Sequence, residues 1–187
     1  MGKSSLKSSR LIYGCMRIAG DNSDSVRNKG KQAIMTALEA GYNHFDHADI
    51  YGAGAAESLF GELLAEKPEL REQIILTSKA GIRPRNNEQD TYAPTRYDFS
   101  QKYIMSSVEG SLKRLNTDYL DMFLLHRPDY LMDLYEVAET FALLKASGKV
   151  KHFGVSNFKP SQVELLRAEL SMPLLVNQVE INIHNID

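Results

Sequence analysis

The sequence predicts an α/β fold of the TIM-barrel, (β/α)8 type, with about six of the eight βα units present. Three observations predict it. Short apolar runs alternate with segments of helical period along the chain, an alternation that belongs to a parallel sheet covered by helices. Polar residues recur at the C-terminal ends of successive apolar runs: Asp46, Lys79, His126, Asn157 and Gln178. That is the face where barrels assemble sites from many strands. Finally, the first run leads into Gly14-Cys-Met-Arg-Ile-Ala-Gly20, which lacks the glycine spacing of a doubly wound nucleotide-binding sheet.

The runs that read as buried strands are Leu11–Met16, Tyr42–Asp46, Ile74–Lys79, Leu120–His126, Val150–Val155 and Leu174–Val179. Between the first two, Ile34 and Leu38 share a helical face with Ala33, Ala37 and Ala40, and Gly41 follows as a C-terminal cap. Leu59, Phe60, Leu63 and Leu64 form the next stripe, which ends before Pro68. Ile104, Val108, Leu112 and Leu115 form a third. Leu134, Val137, Ala138, Phe141 and Leu144 form a fourth, stopped by Gly148. Pro160 opens a fifth stripe of Val163, Leu166 and Leu170 from a first-turn position that proline tolerates. The connection from Arg83 to Ser100 is long, carries Arg83, Arg85, Tyr92, Arg96 and Tyr97, and is expected either as a solvated loop or as a lid over the polar face.

No linker or repeat splits the sequence, so residues 1–187 are expected as one domain. The chain is 43% hydrophobic and 25% charged, with a net charge of −2. That balance supports a core and makes no electrostatic case for nucleic acid or an anionic membrane. No apolar stretch approaches the ~18 residues of a membrane span, and no N-terminal segment reads as a signal peptide. Cys15 is the only cysteine, so no internal disulfide is expected; it reads as a small core residue, and the location as cytoplasmic.

Four of the polar residues suggest joint chemistry. A phenol ordinarily titrates near 10, too high for an efficient acid at neutral pH, and an ammonium within hydrogen-bonding distance favours its phenolate. Tyr51 follows the strand that ends at Asp46, and Lys79 ends the next strand. A carboxylate beside Lys79 keeps its amine charged, and His126 is placed to hydrogen-bond a substrate oxygen. Such a group suits proton delivery to a carbonyl oxygen. His44, Asp46, His47 and Asp49 invite a metal reading, but strand alternation puts His47 on the opposite face from His44 and Asp46, and no metal is expected. Gly52-Ala-Gly54 lacks the lysine and serine of a phosphate loop and reads as a helix start that needs small residues.

These residues, with their surroundings, resemble the aldo-keto reductase superfamily, in its bacterial oxidoreductase branch. Gly41-Tyr-Asn-His-Phe-Asp46 with Ala48, Tyr51-Gly52 and Glu57 is similar to that family's second-strand motif. Leu120-Asp-Met-Phe-Leu-Leu-His126-Arg-Pro128 is similar to the fourth-strand segment, and Gly148-Lys-Val-Lys-His-Phe-Gly-Val-Ser-Asn-Phe158 and Asn177-Gln-Val-Glu180 to the fifth and sixth. Residues 2–10 resemble the hairpin that precedes the barrel. The resemblance implies NADPH-dependent reduction of aldehydes or ketones, a small-molecule carbonyl as substrate and NADPH/NADP as cofactor. It makes Tyr51 the general acid, Lys79 the cation that favours its phenolate, Asp46 the support of Lys79, and His126 the group that orients the carbonyl. Ser156, Asn157 and Gln178 match positions that hold the nicotinamide carboxamide, and Met16 and Arg17 a segment near the cofactor ribose; Asp46 also borders the cofactor. His47 departs from the small Thr or Ser of many relatives.

The resemblance further implies two more strands and helices, which in this family supply the nicotinamide-stacking aromatic and the 2′-phosphate site. The chain is thus expected as a C-terminally shortened member, with the choice of NADPH or NADH unread. Its open barrel edges favour self-association. The alternative to an active reductase is a non-catalytic pseudoenzyme or a cofactor-sensing partner subunit.

Overall fold

A computed structural model describes residues 1, 4–21, 23–85 and 94–184. Six strands pair in one parallel sheet: β1 (Tyr13–Gly14), β2 (His44–Asp46), β3 (Ile75–Ala80), β6 (Leu120–Leu125), β7 (Val150–Ser156) and β8 (Leu174–Gln178). Their spatial order is their order in the sequence. A doubly wound sheet would reverse direction at a switch point; this one does not. Among the described residues the five α-helices are α1 (Asp24–Glu39), α2 (Ala55–Glu66), α3 (Gln101–Leu115), α4 (Leu134–Ala146) and α5 (Pro160–Glu169). The six strands and five helices anticipated for the barrel are present among the described residues, and the sheet is an incomplete barrel of six strands with helices between them.

The helix ends follow local chemistry. Ser100 caps α3 by accepting a hydrogen bond from the Tyr103 N–H at 3.3 Å, and Asn116 ends it in the left-handed region at φ 51°. Asp133 caps α4 through the N–H groups of Tyr135 and Glu136. At α5, Pro160 takes the first turn, and the Gln162 side chain reaches back to the Lys159 N–H at 2.8 Å.

The continuous apolar core lies between sheet and helices. Phe45, Leu76, Phe123, Leu125, Phe153 and Val155 meet the stripes of α1 to α5 there, each large side chain contributing roughly 1.5–3 kcal/mol by burial. Phe141 of α4 stacks on Phe153 at 4.2 Å. The opposite strand faces, where alternation puts Asp46, Lys79, His126 and Ser156, are left for polar work. At the other end of the sheet, the buried Asp121 takes the Leu76 N–H at 3.0 Å and the Arg71 guanidinium at 2.9 Å.

Three expectations need correction. The first strand is shorter than Leu11–Met16, because Tyr13 and Gly14 alone pair in register, with Phe45 and Asp46, while Leu11 and Met16 stand exposed. The described part of the anticipated N-terminal hairpin, residues 4–10, holds no strand. It is an irregular strap whose backbone groups bond side chains instead: Asn43 accepts from the Ser9 N–H at 2.6 Å and donates to the Lys7 carbonyl at 2.9 Å. The long connection is no simple solvated loop, since its ends pair as an antiparallel ribbon of β4 (Ile82–Arg83) and β5 (Arg96–Tyr97). An Arg83–Asp98 ion pair at 2.9 Å and the buried Phe99 anchor it. Residues 86–93, Tyr92 among them, lie outside the described residues.

Candidate active site

β2 ends at Asp46, and the chain then turns beneath the C-terminal rim of the sheet. The Tyr51 N–H closes a turn onto the Ala48 carbonyl at 3.1 Å, and the Asp49 N–H bonds the Lys79 carbonyl of β3 at 3.0 Å. Gly52, Ala53 and Gly54 are all left-handed, at φ 58°, 52° and 90°, a run that L side chains disfavour. A side chain at Gly54 would also stand 2.8 Å from Arg114 Cδ of α3. The small residues therefore serve a tight turn with an arginine behind it, as the reading of a helix start anticipated.

This turn delivers Tyr51 to Lys79. The Lys79 Nζ donates to the Asp46 carboxylate at 2.7 Å, the His47 carbonyl at 2.8 Å and the Tyr51 hydroxyl at 3.2 Å. An ammonium has three N–H donors, and three oxygens stand ready for them. Lys79 is 1% exposed and Asp46 8%, while Tyr51 is half-buried and open to the face. His126 completes the group, its ring edge-on to Tyr51 at 5.9 Å. Burial, with the positive charges of Lys79 and Arg127, depresses its pKa to about 4. It is a neutral imidazole at neutral pH, and its buried Nδ1 has no hydrogen-bond partner. The structure thus brings Asp46, Tyr51, Lys79 and His126 together.

A second group stands at the ends of β7 and β8. Asn157 is left-handed, at φ 57°, and its side chain donates to Ser156 Oγ at 3.2 Å. The Asn157 N–H bonds the Gln178 carbonyl at 2.9 Å, so Ser156, Asn157 and Gln178 are neighbours. Their hydroxyl and amides form a donor and acceptor set of the kind that fits a carboxamide. Met16 and Arg17 follow β1 and are exposed.

The remaining candidates resolve into structure. His44 bridges Ser8 Oγ at 2.9 Å and Thr77 Oγ1 at 2.7 Å. His47 packs edge-on against Phe60 at 4.9 Å, fully buried with neither ring nitrogen partnered, and burial drives its pKa down to about 3. Among the described residues no three His, Cys, Asp or Glu side chains gather as metal ligands. Cys15 is buried, and burial pushes its thiol pKa up, which makes it an inert core thiol.

One cluster escaped the sequence reading. Glu57, 0% exposed, accepts the Ser78 hydroxyl at 2.6 Å and Arg114 Nε at 2.7 Å. Asp49 stands beside this pair with its Oδ1 buried and unpartnered. Burial first, and Glu57 second, raise the Asp49 pKa to about 7. Arg114 lies in the last turn of α3, and the glycines it passes, Gly54, Gly61 and Gly110, are the sequence signal of its course.

A family model described as the Aldo/keto reductase family matches residues 10–187. The chain is 43% identical over 182 residues to the oxidoreductase YcsN of Bacillus subtilis (strain 168), covering 97% of this chain and 60% of that protein. It is 48% identical over 174 residues to the oxidoreductase YdhF of Escherichia coli (strain K12), covering 93% and 57%. It is 39% identical over 178 residues to a 6-dehydroglucose reductase of Agrobacterium fabrum, covering 95% and 60%. The chain thus spans about 60% of the length of these curated relatives. Among solved structures, aldo-keto reductase AKR11C1 from Bacillus halodurans, in its holo form, superposes with a TM-score of 0.82 at 29% identity, over 97% of this chain and 56% of that one.

Proposed function

The chain belongs to the aldo/keto reductase family, and on that premise we propose that it reduces aldehydes or ketones to alcohols with NADPH, using Tyr51 as general acid. The observation that carries this reading is the Lys79 amine, shared between the Asp46 carboxylate at 2.7 Å and the Tyr51 hydroxyl at 3.2 Å in a buried setting. The nicotinamide, when bound, supplies hydride to the carbonyl carbon. Tyr51 supplies the proton to the carbonyl oxygen. The phenolate left behind is met by the Lys79 cation, whose field is little screened where water is excluded. Asp46 holds Lys79 in place, so the cation need not reorganise as charge develops.

His126 is suited to fix the carbonyl oxygen by a hydrogen bond without adding charge, since it stays neutral well below pH 7. Ser156, Asn157 and Gln178 would hold the carboxamide of the cofactor, and Met16 and Arg17 would border its ribose. The substrate reaches the site as a free small molecule in the cytoplasm.

The test is NADPH consumption by the full chain with a panel of small aldehydes, beside Tyr51→Phe. The variant should lose roughly 10²–10⁴-fold in kcat, the usual worth of a positioned acid, while its far-UV spectrum is unchanged. Equal turnover by the variant would remove the role from Tyr51. NADPH binding without any turnover by the parent chain would overturn the reductase reading in favour of a cofactor-sensing subunit.

A further inference from the structure

We propose that Asp49 is a positioning residue, a half-buried carboxyl at the corner of the Tyr51 turn whose protonation against Glu57 and Arg114 sets the seat of that tyrosine. The inference rests on the reading of Tyr51 as the acid. Asp49 and Ile50 are the corner residues of the turn that the Tyr51 N–H closes onto the Ala48 carbonyl. The Asp49 N–H also bonds the carbonyl of Lys79. A displacement of Asp49 is therefore passed to both members of the proton-donating pair.

The groups around Asp49 make its charge state matter. From α2 it faces Glu57; from α3 it faces Arg114, Tyr103 and the Ser107 hydroxyl; β3 presents the Lys79 carbonyl. Glu57 is already satisfied, one oxygen by Ser78 and the other by Arg114 Nε. Asp49 thus stands beside a matched ion pair, with its own Oδ1 sealed from water and unbonded. As a neutral acid it leaves that balance alone. As an anion it becomes the second carboxylate on Arg114, repelled by Glu57 and drawn towards the guanidinium that runs past Gly54. Either force acts on the turn two residues from Tyr51. Burial and Glu57 place the exchange of this proton with solvent at about pH 7, so both states are populated near neutrality.

The experiment is an NMR titration of the full chain from pH 5 to 9, following Asp carboxyl carbons and the Tyr51 amide, with Asp49→Asn as comparison. The Asp49 carboxyl and the Tyr51 amide should share a midpoint near 7, and the Tyr51 transition should vanish in Asp49→Asn. The amide of Tyr119, at the far end of the sheet, should show no such step. An Asp49 carboxyl titrating in the ordinary range near 4, or a Tyr51 amide flat across neutrality, overturns the proposal. If Asp49→Asn does not fold, the parent titration decides alone, with the carboxyl assigned through its bonded carbons. Absence of carbonyl reduction with the coupled titration intact would sink the functional reading and leave this coupling standing.

Discussion

At the scale of single residues, the site depends on one buried charge pair. Lys79 and Asp46 are removed from water together, so each is costly without the other. Lys79→Met should leave the Asp46 carboxylate buried and uncompensated, and lower stability by about 3–5 kcal/mol. The double variant Asp46→Asn with Lys79→Met should recover part of that loss in urea denaturation; strictly additive losses would show that the pair is not coupled. Asp49 makes the opposite case. Its folded pKa, about 7, lies above the ordinary carboxyl value of 3.8, so the native state holds a proton that the unfolded chain releases. The stability it withholds is absent below about pH 4, grows as pH rises and is complete above about pH 7. Asp49→Asn should therefore be the more stable protein at pH 8, by as much as about 4 kcal/mol, with the difference fading towards pH 4. An advantage that grew on acidification would contradict the assigned shift. Asp46, Lys79 and His126 were legible in the sequence because strand alternation and strand ends dictate where they point. Asp49 and Arg114 were not, because their meeting depends on how α3 crosses α2, which no local pattern encodes.

At the scale of elements, the Tyr51 turn is held by close approach as much as by hydrogen bonds. Gly61 of α2 faces the Arg114 carbonyl of α3, where a Cβ would stand 2.0 Å from backbone. Gly54 faces the flexible Arg114 side chain at 2.8 Å and has φ 90°, whereas Gly41 has φ 88° with nothing within 4 Å. The three alanine variants should rank accordingly in urea midpoint. Gly41→Ala should cost about 1–2 kcal/mol from backbone strain alone, Gly54→Ala more, and Gly61→Ala most, about 3 kcal/mol or beyond, because backbone cannot swing aside. A Gly61→Ala variant as stable as the parent would show that α2 and α3 can part cheaply. The six strands and five helices were readable because each carries its own period and its own stop signal. The β4–β5 ribbon was not, because two-residue strands have no period, and β1 was over-read because apolar Leu11 and Ile12 lie beyond the reach of β2.

At the scale of the whole molecule, the sheet leaves β1 and β8 outermost. The unpaired backbone groups of an outer strand invite another chain. Apolar side chains gather near both edges: Leu11 and Met16 are 64% and 60% exposed beside β1, and Ile181 and Ile183 are 76% and 85% exposed beyond β8. Single exposed apolar residues are ordinary, but a set beside an unpaired edge offers apolar area that a second chain would cover. We propose that the 21.0 kDa chain self-associates through these edges, in which case its mass in sedimentation velocity rises with concentration. Ile181→Lys with Ile183→Lys places charge on that surface without touching Lys79 or Tyr51, so it should shift the distribution towards monomer and leave any NADPH turnover per chain unchanged. The two readouts separate assembly from chemistry. A parent chain that sediments as a monomer across the range would show that the edges are closed by the chain itself. Loss of turnover in step with loss of association would mean instead that a neighbouring copy completes the site.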